Sequence, residues 1–440
     1  MNNEKKFSLT EIWYLLLTLM LPFICVAGAS PVPYALRPWL IYAMGIGFIL
    51  VFVFSDIKIN MNPVSVTAFL LVAFMSASWF YSYDPASTKS LLVIYLCSFT
   101  LLFNDIPIKR TSQIMSIMYV FCIIIALSIV ASLFANNLML NYFSFIVNPQ
   151  HSPDIVRSIT RELNDGSYSG FARVRSDAAF IMNVGIAVCY ARFFANGKFK
   201  KTDLVSLALF FVALMLTGRR MLFLVCIVCF ALFMLISNIK NRLLKGIIIF
   251  LLSSSAMLLA AMLIPQVSNF FARFLDKENL STLSNRDMLW DSMISMFKSH
   301  PIFGAGFNSY NEYAFNHGLL VGNHEWVYNG HNTYLQILAE LGIVGFLMMM
   351  IFMIVTFFQS IVLLKKFSKD VQQAKIIYFS IYIQVLIAVY GLTGNPLYSR
   401  QMVVIWFLSA GIIVSAYRKV HPVGVNSVRM IDRRHYYGQI

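Results

Sequence analysis

The sequence predicts an all-α integral membrane protein with about twelve transmembrane helices and a large outward-facing loop containing short amphipathic helices. Three observations lead there. Of 440 residues, 59% are apolar and only 12% charged, and the mean hydropathy is +0.72, which excludes an ordinary soluble enzyme. The apolar residues gather in runs close to the length that crosses hydrocarbon. The net charge of +15 falls almost wholly in alternate short loops, the pattern of an oriented membrane protein.

Taken in order, runs at 10–28, 39–55, 64–81, 90–103 and 114–134 make an N-terminal helical region, 1–134. More spans follow the first run, so it reads as a membrane helix and not as a cleavable signal peptide. A polar outer loop at 135–176 interrupts the pattern. Runs at 177–195, 203–217, 221–237 and 246–264 form the second helical region, 177–264. The largest loop, 265–340, is expected to be outward-facing and catalytic, because long loops on a helical scaffold usually carry function. Spans at 341–363, 376–392 and 402–417 complete a C-terminal region, 341–417, and a basic tail runs 418–440.

Lys5, Lys6, Lys58, Lys109, Arg110, Lys198, Lys200, Lys201, Lys240, Arg242, Lys245, Lys365, Lys366, Arg418 and Lys419 all lie on one side of this map. That side is predicted to be cytoplasmic, with both termini on it. The basic charge is therefore a topology signal plus attraction to anionic membrane lipids, and it does not point to nucleic acid. All six cysteines fall in apolar runs, Cys226 and Cys229 included, and read as soft packing groups, not as a disulfide framework or metal pair.

Five of the seven histidines, His151, His300, His317, His324 and His331, lie in the two long loops. Residues 285–300 place Leu289, Met293, Met296 and Phe297 on one helical stripe, with Asp287 in the first turn and Pro301 ending the helix. The stripe reads as packing against the spans below. Arg286, off that stripe, reads either as a solvated charge or as an anion clamp near a helix N-terminus. Thr217-Gly218-Arg219-Arg220 sits between two apolar runs, where adjacent arginines must snorkel or bind an anion. Arg173 and Arg175 add a third cationic position, for which Asp177 is an alternative salt-bridge partner. In Gly330–Gly345, Asn332, Gln336 and Glu340 recur every four residues, so a helix there carries a polar ridge. A carboxylate such as Glu340 at the edge of hydrocarbon needs a partner or a wet cavity. His331 at the mouth of this ridge is either a surface group or a general base of near-neutral pKa.

With these residues the sequence resembles the O-antigen ligase and polymerase superfamily of bacterial envelope glycan assembly. The match is His331-Asn332, nine residues, then Gly342-x-x-Gly345, after a large loop late in the chain. Supporting it are Arg286-x-x-x-Trp290 leading to Pro301 and Gly304-x-Gly306, and the Leu216–Arg220 turn. Residues 170–345 carry the likeness. Family members commonly have serine before the turn arginine; Arg219 stands there in this chain, so Arg220 is the better match.

The resemblance implies an enzyme that moves a glycan from an undecaprenyl diphosphate carrier to a sugar hydroxyl at the outer face of the bacterial inner membrane. The displacement is expected to be inverting and to need neither metal nor cofactor. His331 would be the base, and Arg286 and Arg220 would offset charge on the leaving diphosphate. Arg219, Arg173, Arg175, Asn332 and Glu340 are the expected substrate-binding residues. Partners implied are the lipid-linked donor, a glycan or lipid A-core acceptor, membrane lipids, and a chain-length regulator or flippase.

Two activities share this signature. A polymerase of O-antigen or capsular repeat units is preferred because such enzymes are the more numerous, with a ligase that moves finished polymer to lipid A-core as the alternative. A multi-span transporter fits the span count but predicts mid-membrane charges and a repeat between halves, neither of which the sequence has. A membrane acyltransferase with a histidine base leaves the outward arginines unexplained.

Overall fold

Helix starts are written locally in polar capping residues. Ser8 and Glu11 form a reciprocal capping box at the head of α1 (Leu9–Cys25), and Asn62 and Ser65 do the same for α3 (Pro63–Ser78). Between them lies α2 (Pro31–Phe54). The Asp84 side chain caps α4 (Pro85–Phe99) by accepting from the Ser87 N–H. In each case a side-chain oxygen satisfies a backbone donor that the first helical turn leaves open.

The computed structural model describes residues 8–27, 31–55, 61–134, 166–172, 174–198, 200–237, 261–275, 286–319 and 330–421, with isolated positions between them. After α4 come α5 (Ile108–Ala131), α6 (Arg175–Asn196), α7 (Lys201–Leu216) and α8 (Arg220–Ile236). Three short helices follow, α9 (Pro265–Leu275), α10 (Arg286–Ser299) and α11 (Tyr310–Asn316). The long α12 (Thr333–Lys366), α13 (Val371–Tyr390) and α14 (Arg400–Val420) complete the chain.

Among the described residues, eight helices are long and apolar enough to cross a membrane, and α1 and α8 are shorter apolar helices. The chain is thus an all-α, multi-pass membrane protein. The expected count of about twelve includes a run at 246–264 that lies mostly outside the described residues.

α6 and α13 pack along each other at the centre, with α5 and α7 against α6 and α14 against α13. α3 lies on α12, and α1 joins α2 to α5. The central pair is buried almost throughout, while outer helices turn apolar stripes outward. Leu347, Ile351, Ile354 and Phe358 of α12 are exposed at helical spacing, as a lipid-facing surface requires. One buried polar knot crosses the centre. The Asn183 side chain accepts from the Tyr382 hydroxyl at 2.9 Å and the Cys226 thiol at 3.3 Å. Cys226 and Cys229 are free and buried.

At about 1.5 Å per residue, the 34 residues of α12 would reach roughly 50 Å, well beyond a 30 Å hydrocarbon core. Its helical geometry breaks at Gly342, with φ 64° and ψ −169°. Residues 333–341 consequently form a separate rod at the end of the bundle, and this rod positions the site.

A cationic rim around a histidine turn

The turn between α7 and α8 reverses the chain in three residues. The Thr217 hydroxyl donates to the Leu214 carbonyl at 2.6 Å, closing α7, and Gly218 takes a positive φ of 71°. Arg219 and Arg220 then stand at the head of α8. Alongside lies segment 166–172, an irregular stretch with turns at Gly166 and Gly170. Its Tyr168 N–H donates to the Leu216 carbonyl at 2.9 Å, and its Phe171 N–H donates to the Ser128 hydroxyl of α5 at 2.8 Å. Arg175, first in α6, donates from Nη1 to Ser167 of the same segment. Arg173 lies outside the described residues.

Opposite this turn, α10 begins with Arg286, which is half-buried. Met293 and Met296 are buried in a small cluster with Ala305, Tyr310, Tyr313, Ala314 and Ala339, and Leu289 and Phe297 pack against it. The stripe expected from sequence is thus a packing face, and it seats α10 on the rod of α12. Gly330 crosses the same face, where an added Cβ would come 2.4 Å from the Met293 sulfur.

The polar ridge turns inward. The Asn332 side chain caps α12, accepting from the N–H groups of Tyr334 at 3.0 Å and Leu335 at 3.1 Å. The Gln336 amide donates to Glu340 at 3.0 Å and accepts from the Gly330 N–H at 3.2 Å. Glu340 is fully buried. Its carboxylate also receives the Tyr398 hydroxyl at 2.7 Å and the N–H groups of Asn308 at 2.6 Å and Tyr310 at 3.2 Å. Four donors on one buried carboxylate offset part of the loss of its hydration.

The glycine motifs exist for this joint. A Cβ on Gly304 would lie 2.2 Å from the Glu340 carbonyl, and one on Gly342 would lie 2.3 Å from the Ile302 carbonyl oxygen. The Ile343 N–H, freed by the break at Gly342, donates to the Pro301 carbonyl at 2.9 Å. Gly304 and Gly342 therefore allow two backbones to touch, and Gly306 lets the same loop approach Ser82, where an added Cβ would come 2.4 Å from the Ser82 Cα.

His331 sits in the turn that leads into the rod, at φ 50°, a strained region for a non-glycine residue. The turn is pinned on both sides, by Gly330 to Gln336 and by the Thr333 N–H to the Gly391 carbonyl at 2.8 Å. His331 is exposed at the surface. Partial desolvation of the ring, followed by the charges of Arg286 and Arg219, holds its imidazole below the usual histidine range. Burial also lowers Arg286, with Arg220 adding repulsion and Tyr390 opposing it. Arg219, Arg286 and Asp177 all act on Tyr390, the last residue of α13. Electrostatic interaction links His331 to Arg286 and Arg219, Arg286 to Arg220, and Tyr390 to Arg219 and Arg286, which groups the five at one rim.

Such a rim sets an imidazole held below its usual range beside several guanidinium groups, an arrangement able to accept a proton and to attract an anion. Among the described residues no three His, Cys, Asp or Glu side chains gather as a metal-binding group. Tyr390, Tyr398 and Asn308 were not singled out from sequence. Tyr390 ends an apolar run beside Gly391 and looks like any interfacial tyrosine, and Asn308 acts through its backbone.

Residues 205–350 match the family model described as O-antigen ligase. That stretch contains the arginine turn, α10, the glycine joint and His331. The match covers 146 of the 440 residues. No curated protein matches the chain. His331, Arg219, Arg220 and Arg286 lie within the matched stretch, and Tyr390 joins the rim from outside it.

Proposed function

We propose that this rim transfers a glycan from an undecaprenyl diphosphate carrier to a sugar hydroxyl, joining O-antigen or capsular repeat units. The observation that carries the reading is the convergence of Arg219 and Arg286, with Arg220 beside Arg286, on a strained turn whose histidine is held below the usual range first by desolvation and then by the charges of Arg286 and Arg219. The acceptor hydroxyl loses its proton to His331 as its oxygen bonds to the anomeric carbon. The bond from that carbon to the diphosphate breaks on the opposite face, inverting the centre. Arg286 and Arg220 take up the growing charge of the leaving diphosphate, and planar guanidinium forks suit its oxygens. No metal is assigned a part in this scheme.

Arg219, Arg175 and Arg173 extend the anion site toward the carrier. Asn332 fixes the base turn and leaves its amide nitrogen for a sugar hydroxyl. Glu340 has its oxygens committed within the protein, so its part is to hold the 304–310 loop and, through Gln336, the His331 turn. In this reading the loop 265–340 faces the outside of the inner membrane, where flipped carrier is found, and both termini are cytoplasmic.

Incubating the purified protein with a lipid-linked repeat unit tests the proposal. A ladder of products without lipid A-core supports polymerisation. Transfer only when lipid A-core is supplied makes the chain a ligase, and absence of transfer with both acceptors overturns the reading.

A further inference from the structure

Four rings from three stretches of the chain meet where α10 ends. Tyr83 stands 4.9 Å from Tyr313 and 5.8 Å from His300, edge-on to both, and 5.7 Å from His317. His317 stacks on Tyr313 at 4.0 Å. Tyr313 is buried and forms the floor, whereas Tyr83 is 43% exposed and His317 is exposed. The Tyr83 N–H donates to the Ala305 carbonyl at 3.1 Å, so the ring is anchored at its base.

The His317 ring is oriented too. Its Nδ1 lies 2.9 Å from the Tyr313 carbonyl oxygen. A carbonyl only accepts, so Nδ1 carries the proton and Nε2 is left as the acceptor of the neutral ring. Neighbouring Trp79, Phe80 and Phe303 are exposed rings of the kind that seat a protein at a bilayer surface. The Tyr83 cluster differs, because both of its exposed rings carry a polar atom beside an aromatic face. A pyranose presents the complement, one face of C–H bonds and an edge of hydroxyls.

We propose that Tyr83 and His317 form a second glycan-contact surface, which takes a pyranose of the sugar chain at a distance from the transfer centre. The inference rests on the glycan-transfer reading above. The 14 residues of α10 separate Arg286 from this surface by about 20 Å. A glycan reacting beside Arg286 reaches the rings only when it is several sugars long. The sugar belongs to the donor chain or to the acceptor chain, with the same chemistry in either case.

The test uses the full-length protein in lipid nanodiscs, titrated with envelope glycan released from its carrier and sorted by length. Long chains should bind Tyr83→Ala and His317→Ala about tenfold more weakly than wild type, a loss of roughly 1.4 kcal/mol. Chains too short to span α10 should bind all three alike, and Tyr83→Trp should retain long-chain binding. In transfer assays, a raised KM for long donors alone or long acceptors alone assigns the source. Arg286→Ala should lose transfer yet keep the length-dependent binding, so failure of this inference is distinguishable from failure of the transfer reading. Equal long-chain affinity of wild type, Tyr83→Ala and His317→Ala overturns the proposal. So does a change confined to melting temperature or bilayer partitioning, the behaviour of a simple aromatic belt. If the alanine variants fail to fold, Tyr83→Phe and His317→Gln decide by the same comparison.

Discussion

Glu340 and Arg286 lie on adjoining elements at one end of the bundle, yet their surroundings are opposite. The Glu340 carboxylate is answered by Asn308, Tyr310, Gln336 and Tyr398, all from within the chain. Arg286 instead shares its corner with Arg220, and both Arg286 and Arg219 press on His331. A buried charge closed by protein donors fixes a joint. Like charges gathered around a strained turn are, in the proposed reading, the place where the anionic carrier is held. The contrast separates what shapes the site from what the site is for.

The hardest way to break this distinction is to remove a group from the rim. His331→Ala should lower transfer by about 10²–10⁴-fold, the usual worth of a positioned general base. Arg286→Ala should lower it by about 10²–10³-fold, as loss of one charge-stabilising donor does. Both proteins should reach the membrane and melt like wild type. Product formation from a lipid-linked repeat unit is the measurement, and wild-type glycan lengths from either variant would remove that residue from the mechanism.

At the joint the expected damage is to stability. Gly304 has φ 73°, and its missing Cβ would overlap the Glu340 backbone at 2.2 Å. Gly304→Ala should therefore cost at least about 2 kcal/mol, read as a lower melting temperature in detergent, with activity lost in proportion to unfolded protein. A variant that melted normally but failed in transfer would move Gly304 from the joint to the reaction.

Much of this division was legible in the sequence. Apolar runs and basic loops disclosed a membrane bundle, and the stripe of Leu289, Met293 and Met296 disclosed the packing face of α10. The ridge of Asn332, Gln336 and Glu340 was visible as a period of four. What closes it was not, since Tyr398 and Asn395 come from beyond α13 and Asn308 contributes only a backbone donor. Periodicity reports which side of a helix is polar but is silent on partners that tertiary packing brings from afar, as with the Asn395 side chain, which donates to Gln336 from 59 residues away. The glycines were readable as permissive positions, but that Gly304 and Gly342 face one another across a single joint needed coordinates.

A milder change sharpens the chemistry of the rim. Arg220→Lys keeps the charge and discards the planar fork, so transfer should fall by about tenfold if two oxygens of the diphosphate are held together. Full activity in the lysine variant would reduce Arg220 to a point charge. The KM for the lipid-linked donor is the measurement.

The smallest effect is a shift in pH dependence. A base must be neutral to accept a proton, so transfer should be lost as pH falls through the His331 pKa and be complete above it. Because desolvation and then the charges of Arg286 and Arg219 hold that pKa below the usual histidine value, the acid limb should lie below about pH 6.5. Arg219→Gln removes one of the positive charges, which makes protonation easier and raises the pKa. The acid limb of its residual transfer should then move to higher pH, toward the ordinary histidine value. A profile measured between pH 4.5 and pH 8 resolves the shift, using about the range over which histidine titrates. An unmoved limb would mean that Arg219 does not act on the base, leaving its turn to serve the carrier alone.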